Sequence, residues 1–166
     1  MPDENKQENE YIWQKPEDTE IKQKMEDGWI KAWFAIEVLG VNKEVAENAM
    51  KTHIDNLCKQ KAAVVIDRKF SEITESDFNI KGEARKGFSQ TCEVTLIFRN
   101  FLSLLDMVTL FGPSAIEILG PKTKEITIEE MQNISNAISG LVHQFAAAGI
   151  GGLVIRGEKG MKSPYQ

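Results

Sequence analysis

The sequence predicts a single α+β domain in which helices cover an antiparallel sheet. Apolar and polar residues alternate with period two at 30–38 and 88–99, as they do in half-buried strands. Elsewhere apolar residues recur at the helical spacing of three and four. A chain of 166 residues with 42% hydrophobic content is long enough to bury one core, and we assign this domain to residues 28–156.

The first predicted strand, at 28–40, has two different faces. One face is wholly apolar and belongs to a core: Ile30, Ala32, Phe34, Ile36 and Val38. The other face carries Trp29, Trp33 and Leu39 among charged residues. This second face raises the question of what covers its tryptophans.

A helix and two more strands are predicted next. Asn42 is a suitable cap for a helix in which four apolar residues share one face: Ala46, Met50, Ile54 and Leu57. Ala63–Phe70 is rich in β-branched residues, which favours a second strand. A charged connection at 72–87 leads to the third strand at 88–99, where Ile97 shares a face with polar residues.

A second helix and a fourth strand complete this pattern. Asn100 is predicted to cap a helix at Phe101–Phe111, which ends at Gly112 and Pro113, and a short strand follows at 115–119. The resulting β-α-β-β-α-β order resembles the ferredoxin-like plan. That resemblance implies an antiparallel sheet with the first and third strands at its centre and both helices on one face. It implies no particular activity, because the plan hosts many functions.

A further amphipathic helix is predicted at 127–148. Thr127 and Glu130 have the spacing of a capping box, and an apolar stripe follows that includes Ile134, Ile138 and Leu141. Because the ferredoxin-like plan leaves one sheet face bare, we expect this stripe to cover that face, within one chain or across a dimer. The predicted interaction surface therefore joins two groups: Trp29, Trp33, Leu39 and Ile97 on the sheet, and Ile134, Ile138 and Leu141 on the helix. A short edge strand at 153–156 and a flexible tail at 157–166 are predicted to follow.

The N-terminal residues differ from the rest in charge. Of the 25 acidic and 20 basic residues, nine acids and four bases lie in residues 1–28, so the remaining 16 of each cancel. Residues 1–27 are acidic and hydrophilic, and such a composition cannot bury enough apolar surface to fold by itself. We predict a mostly disordered leader whose apolar island, Tyr11, Ile12 and Trp13, docks on the protein's own surface or on a partner.

Composition and motifs exclude several functional classes. A neutral body lacks the basic excess of a nucleic-acid binder, and no apolar run approaches the ~18 residues of a membrane span. His53 and His143 have no ligand-spaced neighbours, so we predict no metal and no cofactor. The two cysteines, Cys58 and Cys92, form no CxxC motif, and we expect reduced thiols in a cytoplasmic protein.

Three families with the ferredoxin-like plan offer comparisons. The resemblance to acylphosphatase fails at the turn "LGVNKE", which contains no arginine. RNA-recognition domains stack bases on aromatic residues of the two central strands. Trp33 could serve this role on the first strand, but the third strand has no aromatic residue on that face. The turn after the first strand resembles that of ACT-type regulatory domains, which implies small-ligand binding near Gly40 and Asn42.

The sequence favours a non-enzymatic association or regulatory module over a catalyst. No catalytic constellation is visible, whereas apolar surface is in excess, so we predict a homodimer or a complex with a protein partner. One alternative is an enzyme whose site is assembled from polar residues of the open sheet face, such as Glu37, Glu93 and Arg99. A third reading is an RNA-binding module.

Overall fold

The structure, a computed structural model, describes residues 12–80 and 82–149. The chain divides into two compact units, Met1–Glu125 and Ile126–Gln166. In the described residues, the first unit contains three helices and five strands, and the second contains one helix. The first unit comprises, in chain order, α1 (Asp18–Glu26), β1 (Ile30–Gly40), α2 (Lys43–Cys58), β2 (Ala63–Phe70), β3 (Thr74–Ile80), β4 (Glu83–Phe98), α3 (Phe101–Phe111) and β5 (Ala115–Gly120), and the second unit holds α4 (Ile128–Ala147).

The five strands form one antiparallel sheet in the order β2-β4-β1-β5, and β3 also pairs with β4. β1 and β4 lie at the centre and pair along the whole of β1, from Ile30 opposite Phe98 to Gly40 opposite Phe88. The predicted α+β class and antiparallel sheet are thus confirmed. The predicted four-stranded ferredoxin-like order is not confirmed, because the sheet contains a fifth strand.

The additional strand arises in the stretch that the sequence analysis assigned to a charged connection. Thr74–Ile80 forms β3, and β4 begins at Glu83, five residues before the predicted start. The two strands pair as a hairpin whose outer part, from Glu83 to Gly87, continues beyond the end of β1. Because most side chains there are exposed, the strands lack the apolar alternation that marks a half-buried strand.

The core lies between the sheet and helices α2 and α3. The sheet contributes the predicted apolar face of β1 and the matching face of β4, and the helices contribute one stripe each. Its largest fully buried side chains include Phe34, Ile36, Met50, Ile54, Leu57, Val94, Leu96, Phe98 and Met107. Each such side chain stabilises the fold by about 1.5–3 kcal/mol through removal from water.

Side chains cap three helices at the predicted positions. Asn42 accepts a hydrogen bond from the amide of Val45 at 2.8 Å, and Asn100 accepts one from Ser103 at 2.9 Å. At the start of α4, both hydrogen bonds of the predicted capping box are present. Each cap satisfies amide groups that the first helical turn would leave unpaired.

The backbone approaches its neighbours most closely at Gly40 and Gly87. A Cβ on Gly40 would lie 2.6 Å from the backbone nitrogen of Ala46 in α2. One on Gly87 would meet the ring of Phe78 and lie 2.8 Å from the carbonyl oxygen of Gly40. These contacts require glycine where β1, α2 and the hairpin meet.

The predicted leader and tail lie partly outside the described residues, which exclude 1–11, the edge strand predicted at 153–156 and the tail at 157–166. Within the described part of the leader, Asp18–Glu26 forms α1, which buries no residue. Trp13 is partly buried and packs against the core. In the described part of the chain, no helix combines the length and apolar character that crossing a membrane requires.

Candidate functional site

Strand β5 presents an exposed apolar edge. It is the last strand of the sheet, and β1 is its neighbour. Ile116 lies opposite Phe34 and Ile118 opposite Ala32, so both isoleucines continue the core face of the sheet. Although Phe34 and Ala32 are fully buried, Ile116 and Ile118 remain 42% and 51% exposed. Leu119 is also exposed, so apolar surface extends along this edge.

Helix α4, described by itself, has an apolar arc that is only partly buried. Its 20 residues include none that is buried. Ile134, Ala137 and Leu141 are partly buried. The neighbouring stripe is about half exposed and consists of Met131, Ile138, Val142 and Phe145. An amphipathic helix with this much accessible apolar surface has capacity for a partner.

The structure brings together part of the predicted sheet surface. Trp33 and Ile97 lie on the same face of the two central strands, where Ile97 is fully buried and Trp33 partly buried. Leu39 is 49% exposed and lies six residues further along β1 than Trp33, about 20 Å away. Trp29 precedes β1, and the ammonium of Lys24 lies 5.0 Å from its ring centroid. The predicted contact of these residues with Ile134, Ile138 and Leu141 stays a prediction.

The two residues assigned to ligand binding have structural roles. Gly40 permits the close approach of β1 to Ala46, and Asn42 caps α2. Both roles explain these residue types without a ligand.

The polar residues of the enzyme alternative do not form one cluster. Glu37 lies opposite Thr91, and Glu93 lies opposite Ala35, which places both carboxylates on the open face. Arg99 follows the end of β4, six residues and about 20 Å from Glu93. All three side chains are exposed. Their separation leaves no common position at which one substrate would contact all three.

Three further chemical features of the described residues bear on a candidate site. Groups of three or more potential metal ligands are absent from the part of the chain that the structure describes. His53 lies in α2 and donates a hydrogen bond from Nε2 to the carbonyl oxygen of Phe111, 3.1 Å away. A depression of about 90 Å³ on the β3–β4 hairpin is lined by Glu75, Ser76, Asp77 and Lys86. This volume is well below the roughly 300–1,000 Å³ of typical ligand pockets.

Trp13, which the sequence predicts to dock, lies in a cluster with two residues that the sequence did not identify, Arg68 of β2 and its partner Asp55 of α2. The guanidinium of Arg68 lies 4.8 Å from the ring centroid of Trp13 and 3.4 Å from Oδ1 of Asp55. The side chains of Arg68 and Asp55 are each about one quarter exposed. Trp13 thereby fixes the N-terminal segment to the edge of the core. The only signal in the sequence is an aromatic residue in a hydrophilic segment.

The cysteine thiols near this cluster are not activated. Burial raises the pKa of Cys58, although the charge of Arg68 opposes the shift. Burial also raises the pKa of Cys92, to about 12. Both thiols are therefore protonated at neutral pH, whereas a reactive cysteine needs a lowered pKa.

Comparison with known proteins gives a family but no function. No curated protein matches the chain. The model of the MJ0538 family matches residues 31–158, more than three quarters of the sequence. The match begins in β1, includes α4 and excludes α1. The name of the family specifies no activity, substrate or partner. Because the match covers far more than half of its length, the chain belongs to the MJ0538 family.

Proposed function

We propose that this chain is a non-enzymatic association module that joins a second copy or a protein partner through exposed apolar surface. One observation carries the proposal. Of the 16 exposed large apolar side chains in the described residues, eight lie on β5 and α4: Ile116, Ile118, Leu119, Ile128, Met131, Ile138, Val142 and Phe145. β5 and α4 therefore carry half of the exposed large apolar side chains in the described residues.

The free energy gained by burying these apolar side chains supports the proposal that they take part in association. Completing the burial of a half-exposed aliphatic side chain contributes about 1 kcal/mol. Several such side chains are needed, because association costs at least ~4 kcal/mol of lost freedom before any net affinity appears. β5 and α4 each carry several such side chains, and exposed apolar surface of this kind marks interaction sites in soluble proteins.

The proposal also includes a fold type and a location. β2 and β3 pair with consecutive parts of β4, and the Ser71 amide between them donates to the carbonyl of Thr91 at 2.8 Å. We therefore interpret β2 and β3 as one interrupted edge strand of a ferredoxin-like variant. Cys58 and Cys92 form no disulfide, which suits a reducing, cytoplasmic location.

Light scattering after size-exclusion chromatography tests the proposed self-association. We expect dimers at micromolar concentration and a lower dimer fraction for Val142→Asp, because a carboxylate in the exposed stripe opposes burial. Gln144→Asp is the matched control, since it adds the same charge at an exposed polar position of the same helix. A wild-type chain that stays monomeric at up to ~200 μM would contradict self-association. At that concentration, a dimer with a binding free energy of ~8 kcal/mol would be populated.

A further inference from the structure

The outer edge of β5 lacks most features that prevent strand pairing. Edge strands are commonly protected by lysine, proline or a bulge. β5 contains neither lysine nor proline, and Glu117 is its one charged residue. Its pairing with β1 is regular from Ala115 to Ile118, and the register shifts only beyond that point. In the described residues, no strand pairs with its outer side.

We propose that this edge pairs with β5 of a second copy, antiparallel, about a two-fold axis at Ile116. Two five-stranded sheets would then form one continuous sheet of ten strands. This inference rests on the proposed function, because it names the partner of the apolar edge and the geometry of the contact.

A second copy suits this edge in charge and in symmetry. Most homodimers are two-fold symmetric, so the same patch must be complementary to itself. Residues 29–166 carry 16 acids and 16 bases, so two such bodies meet without opposing net charge. The edge itself carries Glu117 as its single charge, and the register decides whether the two copies of this carboxylate meet.

Four registers place the axis on a residue of the regular part of the strand, which runs from Ala115 to Ile118. An axis at Ile118 would bring the register shift beyond Ile118, and Pro121 with no amide hydrogen, into the paired segment. An axis at Glu117 would set two carboxylates directly opposite each other, which is unfavourable. An axis at Ala115 would place Pro113, which lacks an amide hydrogen, opposite Glu117 of the second copy. An axis at Ile116 sets Ile116 against its own copy, Glu117 against Ala115 and Ser114 against Ile118. The register at Ile116 alone avoids these problems, and it pairs five residues of each copy.

The same register extends the hydrophobic core across the junction. Ile116 and Ile118 lie on the core face, opposite Phe34 and Ala32 of β1. Pairing at Ile116 places both copies of Ile116 in contact on that face and flanks them with the two copies of Ile118. The exposed apolar part of β5 is thus buried by the contact that completes its backbone pairing.

Cysteine cross-linking tests the register in the full chain. Ile116→Cys, Glu117→Cys and Ile118→Cys are each oxidised with copper(II)–phenanthroline. The copper accepts the two electrons released when two thiols form a disulfide, and the two protons pass to the buffer. We expect covalent dimers from Ile116→Cys, because directly opposite residues have Cα atoms about 4.5–5.5 Å apart, within disulfide reach. The other two cysteines would lie two and four residues out of register with their copies, beyond that reach. The wild-type chain measures any background from Cys58 and Cys92.

Each outcome decides a different part of the proposal. Cross-linking of Glu117→Cys or Ile118→Cys in preference to Ile116→Cys would overturn the register. Dimers by light scattering without cross-linking at any of the three positions would overturn edge pairing but leave the proposed association intact. If Ile116→Cys cross-links only after removal of residues 150–166, the chain's own C-terminal segment blocks the edge, and the proposal is wrong for the full chain. A monomeric wild-type chain would contradict this inference and the self-association part of the proposed function, but not association with a different protein.

Discussion

The two edges of the sheet differ in charge and in continuity, two features that govern strand pairing. The edge formed by β2 and β3 carries Asp67, Arg68, Lys69, Glu75 and Asp77, has a register shift after Val65 and is interrupted between the two strands. Trp13 lies over Arg68 at this edge. The β5 edge has one charge, a regular stretch from Ala115 to Ile118 and exposed isoleucines.

The apolar character of the β5 edge is therefore specific to that strand and is not a general property of the edges of this sheet. Charges, bulges and interruptions are the devices that keep an edge from pairing with another chain. All three occur at the β2–β3 edge. The β5 edge is the one at which addition of a strand would bury apolar surface instead of charge.

The largest expected difference between the edges concerns two isoleucines. Ile66 on β2 is 7% exposed, whereas Ile118 on β5 is 51% exposed. We expect Ile66→Ala to lower the free energy of unfolding by about 2–5 kcal/mol, because it leaves a cavity in a packed site. Ile118→Ala should cost less than ~1 kcal/mol in dilute protein, since the side chain is half in water already.

Urea unfolding followed by tryptophan fluorescence at submicromolar concentration, below the range in which dimers are expected, measures both changes. The two variants delete the same atoms from edge strands, so each serves as the control for the other. Equal losses in the free energy of unfolding would show that Ile118 is buried in solution. The two edges would then not differ in the exposure of their apolar side chains.

A second expected difference concerns two glycines, one in the β3–β4 hairpin next to the charged edge and one at the end of β5. At Gly87, where the hairpin folds against Gly40, a Cβ would meet the ring of Phe78 and the Gly40 carbonyl oxygen. At Gly120, which ends β5, a Cβ would meet nothing within 4 Å. We expect Gly87→Ala to cost about 1–3 kcal/mol through overpacking and Gly120→Ala to change stability by under ~1 kcal/mol.

Thermal unfolding of the two glycine variants, both monitored by circular dichroism, gives this comparison directly. If Gly87→Ala is as stable as the wild-type chain, the hairpin is not held against Gly40 as described. The charged edge would then be more mobile than the contact with Phe78 indicates.

Local signals explain which parts of the fold the sequence predicts. Asn42, Asn100 and Thr127 are caps because each side chain bonds to an amide within three residues, and such signals are readable in any sequence. The buried face of β1 was predictable because helices cover only one side of the strand, which leaves an alternation of apolar and polar residues. β3 was not readable, because its side chains are largely exposed and leave no periodic pattern.

The candidate site depends on tertiary structure and was predicted less well. The sequence identifies apolar residues at 115–119, but their alternation predicts burial just as well as exposure. That β5 is an edge strand depends on how β1 pairs with β4, a contact between residues 48 to 68 positions apart. The contact of Trp13 with Arg68 likewise joins segments that no local pattern connects.

The smallest expected effect concerns Trp13, which covers the charged edge. Its ring lies over the guanidinium of Arg68, which also pairs with Asp55. A cation–π contact at a partly exposed site contributes about 0.5–1 kcal/mol, and the packing of Trp13 against the core adds to it. We expect Trp13→Ala to lower the free energy of unfolding by about 1–2 kcal/mol while unfolding stays cooperative.

Ile12→Ala is the matched control for Trp13→Ala, because Ile12 is the adjacent residue and is 77% exposed. Chemical unfolding of both variants should show a loss only for Trp13→Ala. Removal of residues 1–27 should then lower stability by the same amount as Trp13→Ala, since α1 buries no residue. A truncated chain that loses much more stability would show that α1 also supports the core, and one that loses none would show that Trp13 does not cover the β2 edge in solution. Without that cover, the charges and the interruption between β2 and β3 alone would have to distinguish this edge from β5.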